Sequence, residues 1–298
     1  MKRLYILAGP TASGKSDYAL EFATQHACEI LSCDASAFYK GMDIGTAKPS
    51  KVQQTCVPHW GIDLIYPNEY FSIKNYLTYA QRCVSEIFSR EHNVLVVGGS
   101  GFYLKSFLAP VADEYEDKTS IMQEINRWEE QMGADFILKK LKMFNPLGLP
   151  GSLDICNLRK VKKALLRCLT TGLPLHALHK NFERLQTPFV HVPKYAICIL
   201  WPLELLKLRV QKRTKHMLLS GLIEEVRFLL ENNYLLENTP AALTIGYRET
   251  VRFLTQTRQS KQDLCALEEQ IFHNTCQLIK KQNTWLRHQL QFDAYLYY

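Results

Sequence analysis

A short apolar run, Leu4–Ala8, opens the chain and turns directly into Gly9-Pro10. Runs of this kind, without polar alternation, suit strands buried on both faces. Two more follow: Glu29–Cys33, which ends on Asp34, and Asn93–Val97, bounded by Gly98-Gly99. Between them the spacing of apolar positions becomes helical. A helix is predicted from about Ser16 to Gln25, and another over Ile73–Arg90, where Tyr76, Tyr79, Ala80, Cys83 and Ile87 form one stripe. Strand and helix alternate, so this part is predicted to be an α/β unit around a parallel sheet.

The pattern changes after about Leu108. Residues 119–142 and 154–180 read as helices with charged faces, separated by Pro146, Gly148, Pro150 and Gly151. Tyr195–Leu200 is a late strand closed by Trp201-Pro202. If it rejoins the first sheet, residues 109–193 form a mainly helical insertion between two parts of one core, 1–108 and 194–298. Helices are predicted at about 203–219, 221–232, 246–256 and 263–288.

Composition narrows the class. The 298 residues are 47% hydrophobic and 22% charged, ordinary for a soluble globular protein. No run approaches the length of a membrane span. Met1-Lys2-Arg3 precedes an apolar run too short for a signal peptide, so a cytoplasmic protein that binds no membrane is expected. The nine cysteines include no C-x-x-C pair, which leaves zinc-ribbon and thioredoxin readings unsupported and predicts small buried hydrophobes. The net charge of +7 gathers in clusters: Arg159, Lys160, Lys162, Lys163 and Arg167; Lys207, Arg209, Lys212, Arg213 and Lys215; and Lys280, Lys281 and Arg287. Asp113–Asp117 is acidic. Each basic cluster reads either as a solvated helix face or as a seat for an anionic macromolecule.

The strongest chemical feature is Gly9-Pro10-Thr11-Ala12-Ser13-Gly14-Lys15-Ser16, which fits the P-loop pattern between a strand and a helix. Its backbone N–H groups and the helix N-terminus suit a phosphate, Lys15 adds a positive charge, and the Ser16 hydroxyl can ligate Mg²⁺. Alone, the motif says nucleoside triphosphate. A nucleotide hydrolase, however, usually needs a second apolar strand ending in Asp, and Val94–Val97 ends in Gly98-Gly99-Ser100. The carboxylate that does follow a strand is Asp34. It reads as a turn or N-cap residue, or as a general base or Mg²⁺ partner. The second reading is favoured because α/β sites assemble at carboxyl ends of parallel strands. Gly98–Tyr103 resembles a second anion or substrate loop. Arg209 and Arg213, four apart, share a helix face that is either solvated or a clamp on a pyrophosphate.

These residues carry a family resemblance. Gly9–Ser16, the long stretch Asp34–Pro49, Val57-Pro58-His59, Asp63, Gly98–Tyr103, Met217–Val226, Ile245–Glu249 and Gln282–Arg287 resemble the tRNA dimethylallyltransferases of the tRNA isopentenyltransferase family, over nearly the whole chain. The resemblance implies a P-loop NTPase-like core with a helical insertion, and Mg²⁺-dependent transfer of a dimethylallyl group from dimethylallyl diphosphate. The acceptor it implies is N6 of the adenosine 3′-adjacent to the anticodon in tRNA, with pyrophosphate released. The diphosphate would lie on Gly9–Ser16. Asp34 would accept the N6 proton or orient the amine, Ser16 would bind Mg²⁺, and Lys15 with Arg209 or Arg213 would stabilise the leaving group. Asp34, Ala35, Ser36, Ala37 and Ser100 would line the base pocket. Arg159, Lys160, Val161, Lys162 and Lys163 would face the anticodon stem-loop, and Ala242–Tyr247 would form a further RNA-contacting turn.

Departures from the family pattern are Ala35 for Ser, Ser100 for Thr and His59-Trp60 for His-His. Lys160 and Lys163 stand for Arg, Leu166 for Glu, Met122 for a basic residue and Leu243 for a polar one. The sequence to Tyr298 lacks a C-x-x-C…H-x-H segment, which implies the compact bacterial type, here expected as a monomer. The rival readings are a prenyltransferase for free adenine nucleotides, a P-loop small-molecule kinase and a non-catalytic RNA-binding module.

Overall fold

The apolar runs pair into one six-stranded sheet in the computed structural model, which describes residues 2–111, 118–237, 239–256 and 260–298. The acidic run Asp113–Asp117 lies outside the described residues. The strands are β1 (Leu4–Ala8), β2 (Cys28–Ser32), β3 (His59–Trp60), β4 (Asn93–Gly98), β5 (Lys194–Leu200) and β6 (Ala294–Tyr297), in the order β3-β2-β4-β1-β5-β6. Every pairing is parallel. The expected rejoining holds, because Leu4–Ala8 pairs with Lys194–Cys198. Leu4, Ile6 and Leu7 of β1 and Val94, Leu95 and Val96 of β4 are fully buried, as the unbroken apolar runs require. The edge strands β3 and β6 were beyond the pattern: one has two residues, and the other alternates half-buried with exposed positions.

The register places Ala8 beside Gly98 and Cys198, and Ser32 beside Val97. The loops after β1, β2, β4 and β5 therefore leave the sheet along one edge, the place where open α/β folds build their sites.

Helices α1 (Lys15–Gln25), α2 (Lys51–Cys56), α3 (Ile73–Ser89) and α4 (Gly101–Lys105) connect the first strands. Helix α3 starts at a capping box, Ser72 with Asn75, and buries Tyr76, Ala80, Cys83 and Ile87 of the expected stripe. Tyr79 is half-buried instead, and its hydroxyl accepts the Gly61 N–H at 3.1 Å. Four helices follow the late strand: α9 (Leu203–Leu219), α10 (Leu222–Glu231), α11 (Tyr247–Leu254) and α12 (Lys261–Gln289).

The chain forms two compact units, one from residues 1–109 with 188–298 and one from 110–187. Residues 188–193 join the first, where Phe189 stacks on Phe107 with ring centroids 5.4 Å apart. The second holds α5 (Lys118–Met132), α6 (Ala134–Phe144), α7 (Leu158–Thr171) and α8 (Leu175–Glu183) around Ile125, Ile137, Leu141, Val161 and Leu165. Each of the two long helices expected here is therefore two. The first breaks at Gly133 (φ 80°) and the second at Gly172 (φ 68°), two residues before Pro174. The cysteine expectation also needs correcting: six are buried, but Cys56, Cys156 and Cys265 are exposed.

Candidate active site

β1 delivers the chain to Gly9 at the carboxyl edge, and α1 begins six residues on, at Lys15. In between, the backbone turns left-handed at Ala12 (φ 64°) and Gly14 (φ 82°). Helix α1 starts with no side-chain cap, so its first N–H groups form a seat for an anion. Lys15 Nζ folds back to donate to the Pro10 carbonyl at 2.6 Å and lies 3.5 Å from Ser13 Oγ. Burial pushes its ammonium down to about 8, against the opposing pull of the Asp34 charge and with the push of Arg213. Ser16, in the first turn of α1, is exposed.

The loop is gripped from α9 and α12. Arg209 Nε donates to the Ala12 carbonyl at 2.6 Å, and its guanidinium lies 4.7 Å over the Trp201 ring. Trp201 Nε1 donates to the Ser13 carbonyl at 3.0 Å, and Tyr298 stacks on the same indole at 5.0 Å. One helical turn on, Arg213 Nη2 donates to the Thr46 carbonyl at 3.3 Å. Burial pushes the Arg213 pKa down, with the Asp34 charge opposing. The four-residue spacing thus sets Arg209 on the loop backbone and brings Arg213 within electrostatic reach of both Asp34 and Lys15. Gln282 of α12 completes the frame: its Oε1 accepts the Thr11 N–H at 2.9 Å and its Nε2 donates to the Gly99 carbonyl at 3.1 Å.

Asp34 follows β2. Its Oδ1 accepts the Ser36 N–H at 3.1 Å and the Ser36 hydroxyl at 2.7 Å, an Asx turn. The side chain thus makes a local turn, and its charge also acts on Lys15 of the phosphate loop. Ser100 Oγ accepts the Ala35 N–H at 3.3 Å and so ties the loop after β4 to the Asp34 turn. Ala35 and Ser36 are half-buried, whereas Ala37 is buried and contributes its backbone, donating to the Asp34 carbonyl at 3.0 Å.

The basic clusters divide. On α7, Arg159, Lys160, Lys163 and Arg167 are exposed, and Lys160 pairs with Asp154 at 3.4 Å. Lys162 pairs with Glu129. Val161 corrects the expected RNA set: it packs in the helical core, 1% exposed, and has no surface to offer a ligand. Met122 packs on the same core. The 207–215 cluster is not one face either. Lys207 pairs with Glu204 at 2.9 Å, Arg209 and Arg213 turn inward, and Lys212 and Lys215 are exposed. In the turn 242–247, Leu243 is exposed but Tyr247 is fully buried and belongs to the core. The residues missed as chemistry were Gln282 and Trp201. Both reach the loop from distant sequence, and only the family match at Gln282–Arg287 pointed to either.

Among the described residues, no group of three or more His, Cys, Asp or Glu side chains is placed to hold a metal. A hydroxyl and one carboxylate beside a phosphate seat suit Mg²⁺, which draws most of its ligands from water and substrate phosphates. Ser16 and Asp34 are the side chains that would hold it.

The family model for IPP transferase matches residues 37–289. A tRNA dimethylallyltransferase of Opitutus terrae is 41% identical over 289 residues, covering 97% of this chain and 91% of that protein. Its counterpart in Geobacter metallireducens is 33% identical, covering 96% of this chain and 89% of that protein. Among solved structures, a tRNA delta(2)-isopentenylpyrophosphate transferase from Staphylococcus epidermidis is similar at a TM-score of 0.68 and 28% identity, over 100% of this chain and 93% of that one. Residues 9–36 lie outside the family match, yet the phosphate loop and Asp34 they contain are joined by Arg213, Gln282 and Ser100 from within it, and on the family match and these likenesses the chain belongs to the IPP transferase family.

Proposed function

We propose that this chain transfers a dimethylallyl group from dimethylallyl diphosphate to N6 of the adenosine 3′-adjacent to the anticodon in tRNA, releasing pyrophosphate. The observation that carries the reading is the meeting of Lys15, Arg213 and Asp34 at one edge of the sheet. A phosphate seat and a base share one site, while the loop after β4 offers Gly99 and Ser100 where a nucleotide hydrolase places a carboxylate. The names of the similar proteins support it.

The diphosphate lies on the backbone of Gly9, Pro10, Thr11, Ala12, Ser13 and Gly14 and on the start of α1. Lys15 leaves its internal Pro10 partner for a phosphate oxygen, and Arg209 and Arg213 flank it. Mg²⁺, when bound through Ser16, adds charge neutralisation to the leaving group. The C1–O bond of the substrate breaks and its electron pair leaves with pyrophosphate. The N6 lone pair forms the new C–N bond, and the N6 proton passes to the Asp34 carboxylate. The leaving group is already good, so positioning, charge stabilisation and exclusion of water from the allylic centre provide most of the acceleration. The acceptor base leaves its stack to enter between Asp34–Ala37 and Ser100. Arg159, Lys160, Lys162 and Lys163 meet RNA phosphates, with Val161 supporting them from the core. No helix of the described residues is long and apolar enough to cross a membrane. The proposal includes action on tRNA as a monomer in the cytoplasm.

Labelled dimethylallyl diphosphate offered with tRNA, AMP and ATP in separate reactions tests the reading. Label on tRNA alone is expected. Label on AMP alone would make the chain a free-nucleotide prenyltransferase, and ATP consumption without prenyl transfer would make it a kinase.

A further inference from the structure

The stretch Met42–Pro49 carries none of the proposed chemistry, yet polar side chains hold it along its length. Glu225, in the first turn of α10, reaches across to it. Its Oε2 accepts the N–H groups of Asp43 at 2.9 Å and Ile44 at 2.8 Å, and its Oε1 accepts that of Gly45 at 3.3 Å. Successive N–H groups converging on one anion form a nest, here filled by the protein's own carboxylate. Oε1 also accepts the Tyr247 hydroxyl at 2.5 Å. Burial, and then the Glu225 charge, push the Tyr247 phenol far up, so it remains a donor at all ordinary pH. Its ring lies so close to Gly45 that a Cβ there would stand 2.4 Å from Cε2. Lys48 fastens the other end, donating to the Tyr39 carbonyl at 2.6 Å, Asp43 at 2.7 Å and Asp63 at 2.6 Å.

The residue next to this nest is Thr46. Its hydroxyl donates to the Met42 carbonyl at 2.5 Å, which pins its peptide, and its own carbonyl is the acceptor for Arg213 Nη2. A desolvated guanidinium points where its acceptors are. We infer that Glu225 is a positioning residue for the transfer reaction: by gathering the N–H groups of 43–45 and the Tyr247 hydroxyl it fixes the Thr46 carbonyl, and that carbonyl aims Arg213 at the diphosphate seat. The inference rests on the proposed role of Arg213 as a diphosphate clamp. It requires a carboxylate at 225, because an amide oriented to keep its oxygen on the N–H groups of Asp43 and Ile44 would turn a donor toward the N–H of Gly45 and take from the Tyr247 hydroxyl its acceptor.

The test is a double-mutant cycle with Glu225→Gln and Arg213→Lys, each singly and together. The KM for dimethylallyl diphosphate, the KM for tRNA and the thermal midpoint are measured for each. Glu225→Gln is expected to raise the KM for dimethylallyl diphosphate by about tenfold, the loss of roughly one charge-assisted hydrogen bond, with the KM for tRNA unchanged. The double variant is expected to be no worse than Arg213→Lys alone. Tyr247→Phe, which removes one donor and keeps the ring, shifts the same KM by less and carries the same cycle should Glu225→Gln fail to fold. Multiplying effects in the double variant, or a lowered thermal midpoint with both KM values unchanged, would reduce Glu225 to a structural brace and leave the clamp standing. A wild-type KM in Arg213→Lys would contradict the clamp itself, and the role of Glu225 with it.

Discussion

Lys15 joins the electrostatics of the site to an observable. In the proposed reaction the cation would attract the diphosphate, and burial holds its pKa at about 8 instead of 10.5. In the free protein the cationic fraction falls as pH rises through that value. The kcat/KM for dimethylallyl diphosphate, which reports ionisations of the free enzyme, should decline above about pH 8. Stability moves the other way: between the folded pKa and the higher unfolded one, the unfolded chain binds the extra proton, so stability rises with pH. A fall in activity without a fall in unfolding midpoint over this range is the expected signature. Trp201 offers a second residue-level test. Trp201→Leu removes the surface beneath Arg209 and the bond to Ser13, and should raise the KM for dimethylallyl diphosphate by about fivefold to tenfold. Trp201→Phe keeps an aromatic face and should cost less. Steady-state kinetics of the pair separates the two contributions. Neither Trp201 nor Gln282 was legible as a site residue. Their partners lie 188 and 271 positions away, and no local spacing encodes such a contact. Asp34 was legible because a carboxylate directly after a parallel strand has its position fixed by the sheet.

Among the elements, α12 couples fold to site. It carries Gln282 on the loops and, less than one turn on, Trp285 against the start of α4. A Cβ at Gly101 would stand 2.0 Å from Trp285 Cε3, so α4 approaches α12 closely only because residue 101 has no side chain. Gly101→Ala should cost about 1–3 kcal/mol in urea unfolding and lower transfer activity together, since displacing α12 also displaces Gln282. The helices following β5 were readable to within a few residues, because their apolar spacing persists to a cap or a breaker. The pair in the second unit was not. Apolar positions run on through Gly133 and Gly172, and periodicity cannot show that the backbone turns left-handed there. Nor can it find a strand of two residues such as β3, whose place is set by pairing with Ile30 and Leu31.

For the whole molecule, a buried carboxylate at the far end of the sheet links stability to pH. Glu29, near the start of β2, is buried and accepts from Trp60 Nε1 at 2.7 Å, Arg90 Nε at 3.0 Å and Arg90 Nη2 at 2.9 Å, with His92 Nδ1 at 2.9 Å. Burial alone would raise its pKa, but the hydrogen bonds from Arg90, Trp60 and His92 hold it below the usual carboxylate range. The stabilisation is therefore complete above the unfolded pKa and is lost as pH falls through the folded one. Urea midpoints taken from about pH 6 down to about pH 3 should fall more steeply in the wild type than in Glu29→Gln. This cluster also accounts for Trp60, a departure from the family pattern: its indole supports the sheet and stands outside the site. The α/β core and the phosphate loop were open to reading from sequence because both rest on local pattern. The bracing of 42–49 was not, because it depends on α10 and α11 closing over a loop from the first strands. Whether these parts together perform prenyl transfer is tested most directly by single-turnover transfer from labelled dimethylallyl diphosphate in Asp34→Ala, with tRNA affinity measured on the same preparation. Transfer should be abolished while tRNA binding is largely kept. Transfer at the wild-type rate per bound tRNA would contradict the assignment of Asp34, and with it the chemistry proposed for this site.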